Sequence, residues 1–187
     1  MNHTLTLALL FSISIIGSLI AEESSTKKTE LEAFNARSGS VLIKGYSEVA
    51  LIEFKGPSSV GIDVRELIDA GAGEKKYGIT VEVKQGGRIE RKDTSFIDES
   101  EIESLIKGIE YISKIDKTAT SLNSFEAIYK TKGDLAVTVF NSSNGKLMAA
   151  VTAGRIGPAS VYMELTDLVK VKDAIVKAKE MLSALKK

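Results

Sequence analysis

From residue 38 onward the polar and apolar positions first alternate. "SVLIKGYS" (40–47) and "EVALIEF" (48–54) are two runs rich in Val, Ile, Leu and aromatics, and the Gly-Pro of "FKGPSS" ends the second. In "SVGIDVRELID" (59–69), Val60, Ile62 and Val64 alternate with Gly61, Asp63 and Arg65; in "YGITVEVKQ" (77–85), Ile79, Val81 and Val83 alternate with Thr80, Glu82 and Lys84. "AGAGEKK" between them suits a hairpin, and "QGGRIERKDTSF" adds a strand after a Gly-Gly turn. Val60–Phe96 therefore reads as an antiparallel meander with one wettable face. The period then becomes helical: Ile102, Leu105, Ile106, Ile109 and Ile112 share a stripe, and Glu101, Glu103, Lys107 and Glu110 oppose it. Ser100 is the expected N-cap, with Glu103 closing a capping box.

The second half repeats the same order. "SFEAIYKT", "DLAVTVFN" and "GKLMAAVTA" are strand-like and separated by the turn signals "KG" and "SSNG". "GRIGP" breaks the pattern before "ASVYM", and a helix with Thr166 as the expected cap comes next, its stripe built from Leu168, Val171, Ile175, Ala178 and Leu182. Ser100 and Thr166, Ile102 and Leu168, Leu105 and Val171, and Ile109 and Ile175 correspond, each pair 66 positions apart. The predicted fold is α+β: two antiparallel meanders, each closed by one amphipathic helix, with a possible internal duplication. The domain is residues 38–187, in halves of about 38–117 and 118–187. "TELEAFNAR" (29–37) allows one or two helical turns within an otherwise flexible leader, 22–37.

Meander-then-helix, twice over, resembles the Whirly and Pur-alpha single-strand nucleic-acid binders. The likeness covers Val41–Lys187 in element order only, with no motif matched residue by residue. It implies stacking aromatics on a basic sheet face. This chain carries 25 basic and 25 acidic residues, 6% aromatics and no Trp, so the electrostatic footprint of a nucleic-acid binder is missing and nucleic acid is a disfavoured partner.

The first 21 residues contain no Lys, Arg, Asp or Glu, and "LTLALLFSISII" (5–16) has the length of a signal-peptide core. Residues 1–21 are expected to be a signal peptide cleaved after Ala21. The alternative is an anchor retained over Leu5–Ala21, near the lower limit for spanning a bilayer. Secretion or a periplasmic location is the resulting expectation. The single His is His3 and Cys is absent, so residues 22–187 contain no His or Cys for Ser-His-Asp catalysis, zinc or haem ligation. No cofactor or metal is expected.

Three short motifs are compatible with chemistry. "SLIK" (104–107), "SLN" (121–123) and "KTKG" (130–133) loosely resemble penicillin-binding enzymes, which implies Ser104 as nucleophile and Lys107 as base. They crowd into a short stretch, and Ser104 lies off the apolar stripe. The acids of "DESEIE" (98–103) fit a helix's first turn better than a calcium loop. "NSS" (141–143) matches a glycosylation acceptor on an expected hairpin tip. The loop "TAGRIGPAS" (152–160) places Arg155 between two glycines at a strand end, with Lys130 and Lys132 on another turn of the same half. These three are the candidate ligand-binding residues for an anionic group.

The expected function is a non-catalytic binding or interaction module, its partner an unknown protein or a small anionic ligand. Sheet edges open a route to a homo-oligomer. The alternatives are a single-strand nucleic-acid binder and a small Ser/Lys or carboxylate enzyme.

Overall fold

The structure is a computed structural model that describes residues 28–186; the expected signal peptide, its cleavage site and His3 lie outside them. The described chain contains two four-stranded antiparallel sheets, each followed by a helix. β1 (Leu42–Glu53), β2 (Ser59–Asp69), β3 (Lys75–Gln85) and β4 (Arg91–Asp98) pair in chain order, and α2 (Glu99–Ile112) comes after them. β5 (Glu126–Lys130), β6 (Ala136–Asn141), β7 (Leu147–Ala153) and β8 (Ala159–Glu164) repeat this, and a 3-10 turn (Leu165–Asp167) leads into α3 (Leu168–Leu185). A short helix, α1 (Glu30–Asn35), precedes the first sheet.

The two runs of 40–54 form one twelve-residue strand rather than two. No turn residue separates them, and a bulge between Glu48 and Ala50 absorbs the slip in their alternation. The meander so gains β1 and becomes a complete sheet. Helix starts also differ from expectation. β4 runs directly into α2 and β8 reaches α3 through the 3-10 turn, so Asp98 rather than Ser100 is the N-cap of α2, and Asp167 rather than Thr166 that of α3. Neither makes a side-chain cap bond, and Glu103 pairs with Lys107 and Lys179 instead of closing a box.

The helices are exchanged between halves. α3 lies across β1 and β2 of the first sheet, and α2 across β5 and β6 of the second. At one crossing Gly108 of α2 meets the Tyr129 ring of β5 so closely that a Cβ there would stand 2.2 Å from Cδ2. The inner faces of both sheets and both helix stripes thus form one continuous core, with Ile62, Ile79, Leu105, Leu168 and Ile175 fully enclosed. Burying side chains of this size is worth about 1.5–3 kcal/mol each. β3 and β4 also pack against β7 and β8, where Ala149, Ala153 and Ala159 keep the approach short. The Ser160 amide donates to Gln85 Oε1 at 3.0 Å across this contact.

The outer faces differ. On the first sheet, α1 sets Leu31 and Phe34 against Leu67, with Leu42 and Phe96 beside them, in a second, smaller core. Its sequence explains both its start and its docking. Thr29 and Glu32 form a reciprocal capping box. The Asp98 carboxylate accepts from the Glu30 and Leu31 amides at 3.0 and 2.9 Å, so three free amides of the first turn are satisfied. The helix that Thr29–Arg37 allows is therefore formed and docked, and the leader is not free from Thr29 onward.

Asp98→Ala should remove both acceptors from α1. The expected result is a loss of about 1–3 kcal/mol from α1 docking, read as faster amide exchange at Leu31 with β3 unchanged. Equal acceleration throughout β3 would show that Asp98 acts on the global fold instead.

Candidate functional site

Lys130, Lys132 and Arg155 stand on two turns of the second sheet, and the structure divides them. Lys130 ends β5, and its ammonium lies 3.0 Å from Asp134 Oδ1. Arg155, just past β7, donates through Nε and Nη2 to Asp134 Oδ2 at 2.5 Å. Asp134 occupies the left-handed region at φ 59°, which Asp tolerates better than most residues. Burial raises its carboxyl, but the hydrogen bonds and charges of Lys130 and Arg155 outweigh this and hold it below the ordinary aspartate value. Two cations therefore converge on one carboxylate, so an incoming anion would compete with Asp134. Lys132 belongs elsewhere: its amide donates to Glu101 Oε1 at 2.9 Å, and its charge acts on Glu30 of α1.

Close backbone packing holds this corner. A Cβ on Gly133 would stand 1.9 Å from the Phe96 carbonyl oxygen, and one on Gly154, at φ +98°, would stand 1.9 Å from Asp93 Oδ2. Both turns thus require glycine where the second sheet meets β4.

The other motif residues have structural partners. Ser104 donates back to the Glu101 carbonyl at 2.8 Å, while Lys107 lies 3.5 Å from Glu103; their polar ends are directed to separate groups. In the acidic run, Asp98 holds α1, Glu99 bonds Lys186 and Glu103 bonds Lys179. Asn141 accepts from the Phe125 amide at 2.8 Å and donates to the Asn123 carbonyl at 2.7 Å, so both ends of its amide are engaged.

A second surface is the outer face of the second sheet, whose centre carries no motif. Successive registers place Ile128, Thr138, Ala150 and Tyr162 in one row across four strands, with Glu126, Phe140, Met148 and Glu164 in the next. Tyr162 is 65% and Ile128 56% exposed, and Phe140 meets Tyr162 edge-on at 6.2 Å between centroids. A groove of about 370 Å³ opens beside Met148, Tyr162 and Glu164. The only sequence signal for this face is the alternation itself, since Ile128, Phe140, Met148 and Tyr162 all fall on the side away from the helices.

The first sheet's outer face offers a contrast. Beyond α1, Arg65 bonds Asp63 at 2.8 Å and Thr80 at 2.9 Å and lies over the Tyr46 ring, while Lys92 bonds Glu82 at 2.9 Å. Its charges are of mixed sign, with Lys84 opposite Lys92 on β3 and β4 but Glu82, Asp63 and Arg65 interspersed, and form no continuous basic stripe. No protein-family model matches the chain, and no characterised protein matches its sequence significantly. Among the described residues no helix is long and apolar enough to cross a membrane.

The lowered Asp134 carboxyl has a pH consequence. Its stabilising contribution is present above the unfolded aspartate value of about 3.9 and is lost as pH falls through the lower folded value. Asp134→Asn, which retains tolerance of positive φ, should reduce stability relative to wild type at about pH 5–8, with the difference vanishing in acid. A difference that persists undiminished in acid unfolding curves would assign the loss to packing rather than charge.

Proposed function

We propose that the chain is an exported, non-catalytic interaction module that binds another polypeptide through the outer face of its second sheet. The carrying observation is the exposed pair Ile128 and Tyr162 at the two ends of the row Ile128–Thr138–Ala150–Tyr162, continued by half-buried Phe140 and Met148. Aromatic and Met side chains without bulky charge are the composition of an interface centre, and Met adapts readily to a partner's shape. Export rests on the apolar run Leu5–Ala21, which favours the periplasm or the exterior of the cell as the module's location.

A protein partner is favoured over nucleic acid by the charge of both outer faces. The second sheet carries Glu126 and Glu164 at one end of its face and Lys130 at the other, and the first carries paired charges. Neither supplies the positive track that single strands require. A small anionic ligand is disfavoured at Arg155 and Lys130 because Asp134 already lies between them.

Tyr162→Lys tests the reading. Its side chain is exposed, so the fold should survive, as circular dichroism would check. Immobilised wild-type chain should retain a polypeptide from the source's exported fraction that the variant does not. Identical retention by both chains would sink the proposal.

A further inference from the structure

The two halves carry the same charged couple at the same place. Asp98 ends β4 and Glu164 ends β8; Asp98 is the N-cap of α2 and Glu164 that of the 3-10 turn, with φ/ψ of −63°/145° and −64°/146°. Asp98 pairs with Gly78 on β3, and Glu164 with Met148 on β7. Two residues before these partners stand Lys76, on β3, and Lys146, at the turn just before β7, and two residues earlier on the fourth strands stand Phe96 and Tyr162.

In the first half this set grips a helix. Asp98 accepts the first two amides of α1, Lys76 bonds Glu30 at its first position at 3.0 Å, and Leu31 packs over Gly78. Phe96 lies against the apolar pair Leu31 and Phe34. In the second half Lys146 and Glu164 close on each other at 2.5 Å, and Tyr162 stands open beside the groove. Met148 replaces Gly78, so a flexible side chain fills part of the space that α1 occupies in the other half.

Resting on the reading of this face as a protein-binding surface, we infer that its occupant is a short amphipathic helix supplied by the partner, docked as α1 docks on the first sheet. Lys146 takes an acidic side chain at the helix's first position, and Glu164 takes the amides that no residue of the helix can satisfy. An apolar pair three residues apart, as Leu31 and Phe34 are, lies over Tyr162, Met148 and Phe140. The charge complementarity is specific: the Lys146–Glu164 pair opens, and each member meets the opposite sign at a helix start. Opening it costs little, because both partners are exposed and solvated ion pairs contribute little to stability.

A random peptide library of about 12 residues, long enough for three helical turns, displayed on phage and panned on residues 22–187, supplies the probe. Selected peptides should carry an acidic residue with apolar side chains at the next position and three beyond that, and should become helical on binding. Tyr162→Lys should abolish capture. Lys146→Glu should weaken the selected peptide about tenfold, and replacing that peptide's acidic first residue by Lys should restore the loss. Peptides that need Tyr162 but bind in extended form, or ignore Lys146→Glu, would overturn the helix and leave the face as a binding surface. Capture indifferent to Tyr162→Lys, or no selection at all, would overturn both.

Discussion

The exchange of helices is the constraint on which the remaining structure depends. Each meander has an apolar inner face, and neither is covered chiefly by the helix that directly succeeds it in the chain. α3 covers the first sheet and α2 the second, so a single core draws on both sheets, both helices and both halves. Hydrophobic burial is non-directional, and what gives this core its arrangement is steric. Gly108 admits Tyr129, Gly133 admits the Phe96 carbonyl, and the alanines of β7 and β8 admit β3. These small residues set where one half can seat against the other.

Much of the fold is legible in the sequence because its signals are periodic. Both meanders, both helices and the correspondence between halves emerge from alternation and from two stripes at matching spacing. The helix exchange is not legible, since an apolar stripe states that it must be covered and says nothing of which sheet covers it. The bulge near Val49 escapes notice because a one-residue slip looks like the end of one strand and the start of the next. Asp98 reads as a first-turn acid. Its use as the acceptor for Leu31 of α1, 67 positions earlier in the chain, is a tertiary fact with no local trace.

The candidate binding residues show a related limit. A Gly-Pro loop and a turn single out Arg155 and Lys130, and the structure does bring them together, but around Asp134. A carboxylate four residues from Lys130 is visible in the chain, yet its approach to Arg155 depends on pairing β5, β6 and β7 in order. The outer face of the second sheet is hidden for the opposite reason: its residues form ordinary strands with no motif. Only pairing register turns Ile128, Phe140, Met148 and Tyr162 into neighbours.

The shared core also governs how the chain reaches its native state. β1 is made early and α3 late, so the first sheet lacks its cover until most of the chain is available. Contacts of such long sequence separation carry a large loop-closure cost and slow folding. Through that interval the apolar inner face of β2 and β3 is open to other chains, which favours aggregation during slow folding. A polypeptide wired in this way gains little by folding as it is synthesised, and its compact state is acquired as a whole rather than half by half.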